Sequence, residues 1–146
     1  MNINKQGSGV IAFIDNRKNK HKDLPVDIVY LLLVTYNNKF DFPKGVKDKG
    51  ETDFDCAFRE SYEECNLNYF SFTESEYKSL NLNGNLTLFI KEIKDSSYIN
   101  NVIKIKPTKG IKEHKYYTFK NYKNAKENML NFLLPYLDKA NIILNK

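Results

Sequence analysis

Two apolar runs near the start of the chain constrain its fold more than any other feature. Residues 9–14 are apolar and bounded by a glycine and by Asp15-Asn16, and residues 26–36 form a longer run rich in β-branched side chains. Runs of this length between turn-forming residues are typical of β-strands. The charged stretch 17–23 predicts an exposed loop. The chain is therefore expected to begin with two strands joined by this loop.

A helix is expected to begin near Thr52. This residue offers a capping hydroxyl, and the acidic Asp53 and Asp55 follow it in the first turn, where the helix dipole favours negative charge. Asn66 is expected to end the helix. Apolar residues recur along it at spacings of three and four and predict the stripe that faces the core: Phe54, Phe58, Tyr62 and Cys65.

The second half of the chain predicts two further strands, over residues 86–93 and 116–119, with a lysine-rich connection between them. A second amphipathic helix is expected over residues 125–137, continuing past Pro135 with a kink or a break. No repeat, low-complexity block or linker interrupts the sequence. Residues 1–146 are therefore expected to form one domain of the α/β (α+β) class.

Composition indicates a soluble protein. The chain is 41% hydrophobic and 28% charged, and no apolar run approaches the ~18–20 residues that a membrane-spanning helix needs. The first seven residues lack the apolar core of a signal peptide, which predicts a cytoplasmic location and a reducing environment. The cysteines, Cys56 and Cys65, fall on one predicted helix, too far apart for a mutual disulfide. They are interpreted as small buried hydrophobic residues.

The charges are unevenly distributed. Residues 40–65 contain eight acids and four bases, whereas residues 101–126 contain eight lysines and Glu113 as their one acid. An acidic pole for a cation and a basic pole for phosphate would suit an enzyme acting on polyphosphates. The alternative is two solvated faces, and charge alone favours that alternative.

A cluster of carboxylates lies on the helix predicted near Thr52. Glu60, Glu63 and Glu64 share one helical face, where like charges repel by roughly 0.2–0.5 kcal/mol per pair. A bound cation would offset this repulsion, and oxygen ligands favour magnesium or manganese over zinc. The cluster taken alone also fits a solvent-exposed acidic face with Arg59 as an ion-pair partner.

The residues upstream decide between these interpretations. The pattern G-x5-E-x7-R-E-U-x-E-E-x-G-U is the Nudix box, and this chain resembles the Nudix hydrolases in carrying Gly45, Glu51, Arg59, Glu60, Glu63 and Glu64 at its fixed positions. Ser61 and Asn66 depart from the pattern, which has an aliphatic residue and a glycine there. Ser61 is expected to face the core beneath the metal site. The resemblance implies an α/β/α sandwich with a mixed central sheet, and magnesium-dependent cleavage of a phosphoanhydride bond.

The resemblance also implies roles for individual residues. Glu60, Glu63, Glu64 and the carbonyl of Gly45 would bind Mg²⁺, with Mn²⁺ as the alternative. Arg59 would orient Glu60 through charge-assisted hydrogen bonds, and Glu51 would support the loop or help to hold Arg59. Water polarised by the metal would attack phosphorus. The catalytic set is thus Arg59, Glu63 and Glu64, joined by Glu113 as a further ligand or general base.

Outside the box the chain resembles the asymmetric diadenosine tetraphosphate hydrolases, which yield ATP and AMP. Phe42-Pro43-Lys44-Gly45 and the segment 113–119, similar to Glu-His-x-x-Tyr-x-Trp, carry this likeness. Tyr117 and, on the final helix, Phe132 are candidates to stack on a nucleobase, because a planar base gains from an aromatic partner; ordinary core packing is the alternative for both. The predicted phosphate contacts are His114, Lys44, Lys109, Lys112 and Lys115.

Two other functions remain open. Phe42-Pro43-Lys44-Gly45 with residues 55–60 also resembles the Nudix domain of mRNA-decapping enzymes, and a catalytically silent nucleotide-binding Nudix module is the second alternative. The expected partner is a nucleoside polyphosphate. Membrane binding is not expected, nucleic acid is expected only as capped RNA, and the protein is expected to be a monomer.

Overall fold

A mixed seven-stranded sheet forms the centre of the computed structural model, which describes residues 6–65, 78–94 and 114–145. The strands are β1 (Gly7–Asp15), β2 (Ile28–Thr35), β3 (Phe40–Asp41), β4 (Lys44–Val46), β5 (Lys78–Asn81), β6 (Leu86–Glu92) and β7 (His114–Asn121). The helices are α1 (Asn16–Asn19), α2 (Asp53–Cys65), α3 (Tyr122–Asn128) and α4 (Leu134–Leu144), with a short 3-10 helix (Asn131–Leu133) before α4. No helix within these described ranges is long and apolar enough to span a membrane.

The strands pair in the order β3-β2-β1-β6-β5, and in addition β4 pairs with β1 and β7 with β2. β1 and β6 are parallel, whereas the other pairs are antiparallel. The β1–β4 pairing sets Gly45 opposite Ser8, so the turn that precedes α2 is fixed to the central strand.

Helices cover both faces of the sheet. Alternate residues of the buried strands point to opposite sides, so β2 sends Tyr30 and Leu32 to one face and Leu31 and Leu33 to the other. The first, here the C-terminal face, is covered by α3, the 3-10 helix and α4. The second, the α2 face, contains Ala57 of α2. This arrangement confirms the predicted α/β/α sandwich with a mixed sheet.

Helix α2 begins as predicted but buries a different face. The Thr52 hydroxyl accepts a hydrogen bond from the Asp55 amide at 3.1 Å, which confirms the cap. The predicted apolar stripe is confirmed only at Phe54, which packs against the core of the α2 face, and is wrong at Phe58 and Tyr62, which are 37% and 57% exposed. The buried residues of α2 are small or polar: Cys56, Ala57, Ser61 and Glu64.

Small side chains suit this buried face because α2 packs on β1. The Cys56 thiol is fully buried within 4.0 Å of the Ser8 carbonyl, which confirms its interpretation as a buried small residue. Ser61 is also buried, as predicted, and its hydroxyl donates to the Ala57 carbonyl at 2.7 Å. The Cys65 side chain and Asn66 lie outside the described residues.

Two other predictions need correction. Part of the predicted loop 17–23 is helical, because α1 forms one turn whose cap is the Asp15 carboxylate, bonded to the Arg17 amide. The predicted helix 125–137 is interrupted before Pro135, at Met129, whose backbone is extended. The Leu130 amide donates instead to the Phe40 carbonyl of β3 at 3.1 Å. Pro135 lies in the first turn of α4, where its missing N–H costs nothing.

Candidate active site

Two carboxylates of α2 contact the backbone of consecutive residues in β4. A Cβ atom placed on Gly45 would lie 2.1 Å from Glu60 Cδ and 2.3 and 2.4 Å from its two oxygens, so the Glu60 carboxylate occupies the space that a side chain would need. One helical turn later, Glu64 Oε1 accepts a hydrogen bond from the Lys44 amide at 2.8 Å. The turn before α2 and the face of α2 therefore bring Gly45, Glu60 and Glu64 together.

Arg59 links the acids around this site. Its Nε and Nη2 donate to the two oxygens of Glu51 at 2.8 and 3.0 Å. Its Nη1 donates to Glu60 at 2.7 Å and reaches Glu63 at 3.4 Å. The hydrogen bonds from Arg59 lower the pKa of Glu51 to about 2, and those to Glu51 and Glu60 raise the pKa of Arg59. A bidentate guanidinium fixes both orientation and charge, so Glu51 holds Arg59 and Arg59 holds Glu60.

Glu64 differs from Glu51, Glu60 and Glu63 in being almost completely buried, with 4% of its surface exposed. Burial raises the pKa of Glu64 to about 8, and the nearby charges of Glu60 and Asp41 act in the same direction. The hydrogen bond from the Lys44 amide and the Lys44 charge oppose this shift. A desolvated carboxylate of this kind is stabilised by a cation that replaces its lost hydration.

The raised pKa of Glu64 predicts that the metal-free protein loses stability as pH rises. The unfolded chain releases this proton near the ordinary value of 4.5, whereas the folded protein keeps it until about 8. The folded state thus binds more protons in this interval, and we expect unfolding free energy to fall across it by about 2–4 kcal/mol. Urea denaturation with a chelator, at about pH 5.5 and about pH 8.5, measures the change. Glu64→Gln should remove this part of the pH dependence, and identical pH slopes in the two proteins would contradict the assignment.

A buried pair that the sequence did not predict lies beside Glu64. Asp41 Oδ2 of β3 accepts a hydrogen bond from His114 Nε2 of β7 at 3.1 Å. The other ring nitrogen, Nδ1, lies 3.8 Å from Glu64 Oε2. The sequence singled out His114 as a phosphate contact, but here it is buried at 3% exposure against Asp41 and Glu64, and Asp41 was missed. Its sequence clue was an acid between two aromatic residues of an apolar stretch, Phe40 and Phe42.

The predicted substrate-binding residues are placed in different environments. Lys44 Nζ lies 5.3 Å from the centre of the half-exposed Phe132 ring and 3.3 Å from Asp41 Oδ1. Tyr117 is partly buried and packs against the core of the α2 face. Lys115 donates to the Asn38 side chain. Glu113, Lys109 and Lys112 lie outside the described residues.

The donor set fits a hard divalent cation. Its members are the carboxylates Glu60, Glu63 and Glu64 with the Gly45 carbonyl, all oxygen atoms. Among residues 6–65, 78–94 and 114–145, no three acidic, histidine or cysteine side chains already converge as a metal-ligand group. In this arrangement Arg59 engages Glu60 and Glu63, and Glu64 faces the Lys44 amide. The desolvated Glu64 carboxylate and the close approach of the Glu60 carboxylate to Gly45 are the two features that support the fit.

Solved structures with a similar arrangement of strands and helices identify the fold of this chain. C. elegans Ap4A hydrolase is similar with a TM-score of 0.66 and 18% identity, over 96% of this chain and 98% of that chain. A MutT/Nudix family protein from Listeria innocua is similar with a TM-score of 0.64 and 15% identity, over 97% and 94%. The chain has the Nudix fold. RenU, a Nudix hydrolase from M. smegmatis, is similar with a TM-score of 0.62 and 10% identity, over 96% of this chain and 85% of that chain.

No protein-family model and no curated protein matches the sequence. The predicted Nudix fold is therefore confirmed by three-dimensional similarity. Within that fold, the residues of the box up to Cys65 lie on β4, α2 and the segment between them.

Proposed function

We propose that this chain is a divalent-metal-dependent pyrophosphohydrolase. The observation that carries the proposal is the pair of carboxylates, Glu60 and Glu64, held one helical turn apart against the Lys44–Gly45 backbone. Burying Glu64 without a cation costs free energy, because a desolvated carboxylate loses its hydration. A site of this kind is better explained by cation binding than by fold stability.

Each residue has a defined task in this proposal. Glu60, Glu63, Glu64 and the Gly45 carbonyl would hold Mg²⁺, or Mn²⁺ as the alternative. The ion, when bound, supplies a polarised water and neutralises charge that develops on phosphate. Arg59 keeps the Glu60 carboxylate at Gly45, and Lys44 offers its ammonium to phosphate. Glu113 is proposed as a further ligand or as the general base that takes the proton from water.

The substrate proposed is diadenosine tetraphosphate, cleaved asymmetrically to ATP and AMP. The segments Phe42-Pro43-Lys44-Gly45 and 113–119 support it, as does the fold similarity to C. elegans Ap4A hydrolase. Phe132 offers a half-exposed ring beside Lys44, which suits stacking on a base near a phosphate contact. Tyr117 is the second stacking candidate. His114 is not proposed as a phosphate contact, because it is 3% exposed and its ring lies beside Glu64.

A substrate panel tests this proposal. The purified protein is incubated with Mg²⁺ and, in separate reactions, diadenosine tetraphosphate, capped RNA, nucleotide sugars and inositol pyrophosphates, and the products are separated by chromatography. ATP and AMP in equal amounts from diadenosine tetraphosphate are the expected result. Release of 7-methyl-GDP from capped RNA would favour the decapping activity, and the absence of any product would favour the silent nucleotide-binding module. The monomeric state and the cytoplasmic location stay predictions.

Arg59→Ala is expected to lower kcat by roughly 10- to 100-fold, as is typical for residues that orient metal ligands. Arg59→Lys should restore little, because an ammonium cannot bind both oxygens of Glu51 in parallel. Steady-state kinetics with diadenosine tetraphosphate measures both variants. Arg17→Ala is the matched control, since this arginine also binds an acid, Asp15, but outside the site. Unchanged kcat in Arg59→Ala would remove Arg59 from the mechanism.

A further inference from the structure

Asp41 is a buried acid that lies outside the Nudix box and faces the proposed metal site. It pairs with Leu33 of β2, a residue of the α2 face, while its neighbours Phe40 and Phe42 point into the core of the C-terminal face. Alternation along the chain therefore turns the Asp41 carboxylate toward α2. It is 6% exposed.

A bulge in β7 brings His114 to the same face. β7 and β2 pair regularly as far as Val34 with Tyr116, and the register then shifts so that His114 lies opposite Thr35. Tyr117 packs on the α2 face, so unbroken alternation would point His114 to the opposite side of the sheet. The extra residue in the bulge, Lys115, reverses this orientation. The bulge thus directs the imidazole toward Asp41 and Glu64.

The imidazole lies between two buried carboxylates. Its Nε2 is 3.1 Å from Asp41 Oδ2, and its Nδ1 is 3.8 Å from Glu64 Oε2. His114 itself is 3% exposed. Burying two acids and a histidine together costs free energy unless each has a polar partner. An apolar cluster would stabilise the fold at least as well, so stability alone does not explain this arrangement.

We propose that Asp41 is a positioning residue that, through His114, fixes the Glu64 carboxylate in the orientation for cation binding. This inference rests on the proposed function, because it assigns Asp41 to the same metal site. The Asp41 carboxylate orients the ring through Nε2, and the ring in turn limits the space available to Glu64. Asp41 also lies 3.3 Å from Lys44 Nζ, so an action through Lys44 is the competing route.

A double-mutant cycle separates the two routes. Asp41→Ala, His114→Ala and the double variant are compared by Mn²⁺ titration without substrate and by steady-state kinetics. We expect each single variant to bind Mn²⁺ roughly 10- to 100-fold more weakly and to lower kcat, as for other partners of metal ligands. The double variant should be no worse than His114→Ala, because Asp41 acts through that residue. A double variant showing the product of the two single losses, or unchanged Mn²⁺ affinity in Asp41→Ala, would overturn the proposal.

Two further variants distinguish positioning from stability. Asp41→Asn keeps an oxygen that can accept from His114, so it should retain most of the Mn²⁺ affinity that Asp41→Ala loses. An asparagine variant as weak as the alanine variant would refute the hydrogen-bond route. Asp15→Asn is the matched control, because Asp15 is equally buried but pairs with Arg17 at the far end of β1. It should lower the unfolding temperature and leave Mn²⁺ affinity unchanged.

The two readouts also separate this inference from the proposed function. Wild-type turnover tests the hydrolase activity, whereas the Mn²⁺ titration tests Asp41 without any substrate. A wild-type protein that binds Mn²⁺ but cleaves none of the panel would refute the hydrolase, and the affinity comparison would still decide the role of Asp41. A wild-type protein that cleaves its substrate, with Asp41→Ala equal to it in affinity and kcat, would refute this inference alone.

Discussion

Glu64→Gln is expected to abolish metal-dependent hydrolysis while the fold survives. Glutamine has nearly the same shape, and its side-chain oxygen can still accept the hydrogen bond from the Lys44 amide. It removes the negative charge that would neutralise the ion. Because a catalytic metal ion lowers the activation barrier by several kcal/mol, we expect its loss to reduce kcat by roughly 1,000-fold or more. Steady-state kinetics with the substrate identified in the panel measures this loss.

The same variant is expected to be at least as stable as the wild type in the metal-free state above pH 8. Its amide carries no charge to be desolvated, whereas the Glu64 carboxylate, with its pKa raised to about 8, is ionised under those conditions. Asp55→Asn is the control, because this acid lies on the same helix but is exposed. Full activity in Glu64→Gln would exclude Glu64 from the reaction, and an unfolded variant would show that the charge supports the fold.

The local part of this site was predictable from sequence. Helical geometry places residues three and four apart on one face, so the spacing of Glu60, Glu63 and Glu64 was sufficient to predict their cluster on α2. The contact of Arg59 with Glu51 spans eight residues and was one of the two roles that the resemblance to the box implied for Glu51.

The buried face of α2 was not predictable from apolar spacing. Hydrophobic periodicity counts large apolar side chains, yet the face that meets β1 consists of small and polar residues, including Ser61 and Glu64. Phe58 and Tyr62 are exposed in the described structure although they fit the apolar pattern. Tertiary packing against β1 decided which face is buried, and the spacing of apolar residues does not show how closely α2 packs on β1.

Contacts between distant strands were also beyond sequence reasoning. Asp41 and His114 are separated by 73 positions, and they meet because both flank β2 and because a bulge re-aims His114. The break at Met129 has a similar origin, since the Leu130 amide donates to Phe40 of β3 instead of continuing a helix. A kink or break was predicted at Pro135, whereas the helix is interrupted earlier, at Met129, beside this hydrogen bond to β3.

Gly45→Ala is expected to impair activity far more than stability. The added Cβ would lie 2.1–2.4 Å from the Glu60 carboxylate, whose atoms are the end of a flexible side chain. The side chain can swing away at small cost to the fold, but it then leaves its position beside Gly45 and strains its hydrogen bond with Arg59. A displacement of about 1 Å in a reacting constellation costs on the order of 100-fold in rate, so we expect kcat to fall by about that factor.

Gly84→Ala provides the opposite pattern and is the matched control for Gly45→Ala. Gly84 has a φ of +81° in an exposed turn, with open space where a Cβ would be, so alanine there strains the backbone without touching the site. It should cost about 1 kcal/mol of unfolding free energy and leave kcat unchanged. Mn²⁺ titration and urea denaturation of both variants test the contrast. If Gly45→Ala kept wild-type Mn²⁺ affinity and kcat, the close contact between Gly45 and Glu60 would have no part in binding the ion, because the added methyl group would have moved the carboxylate without consequence.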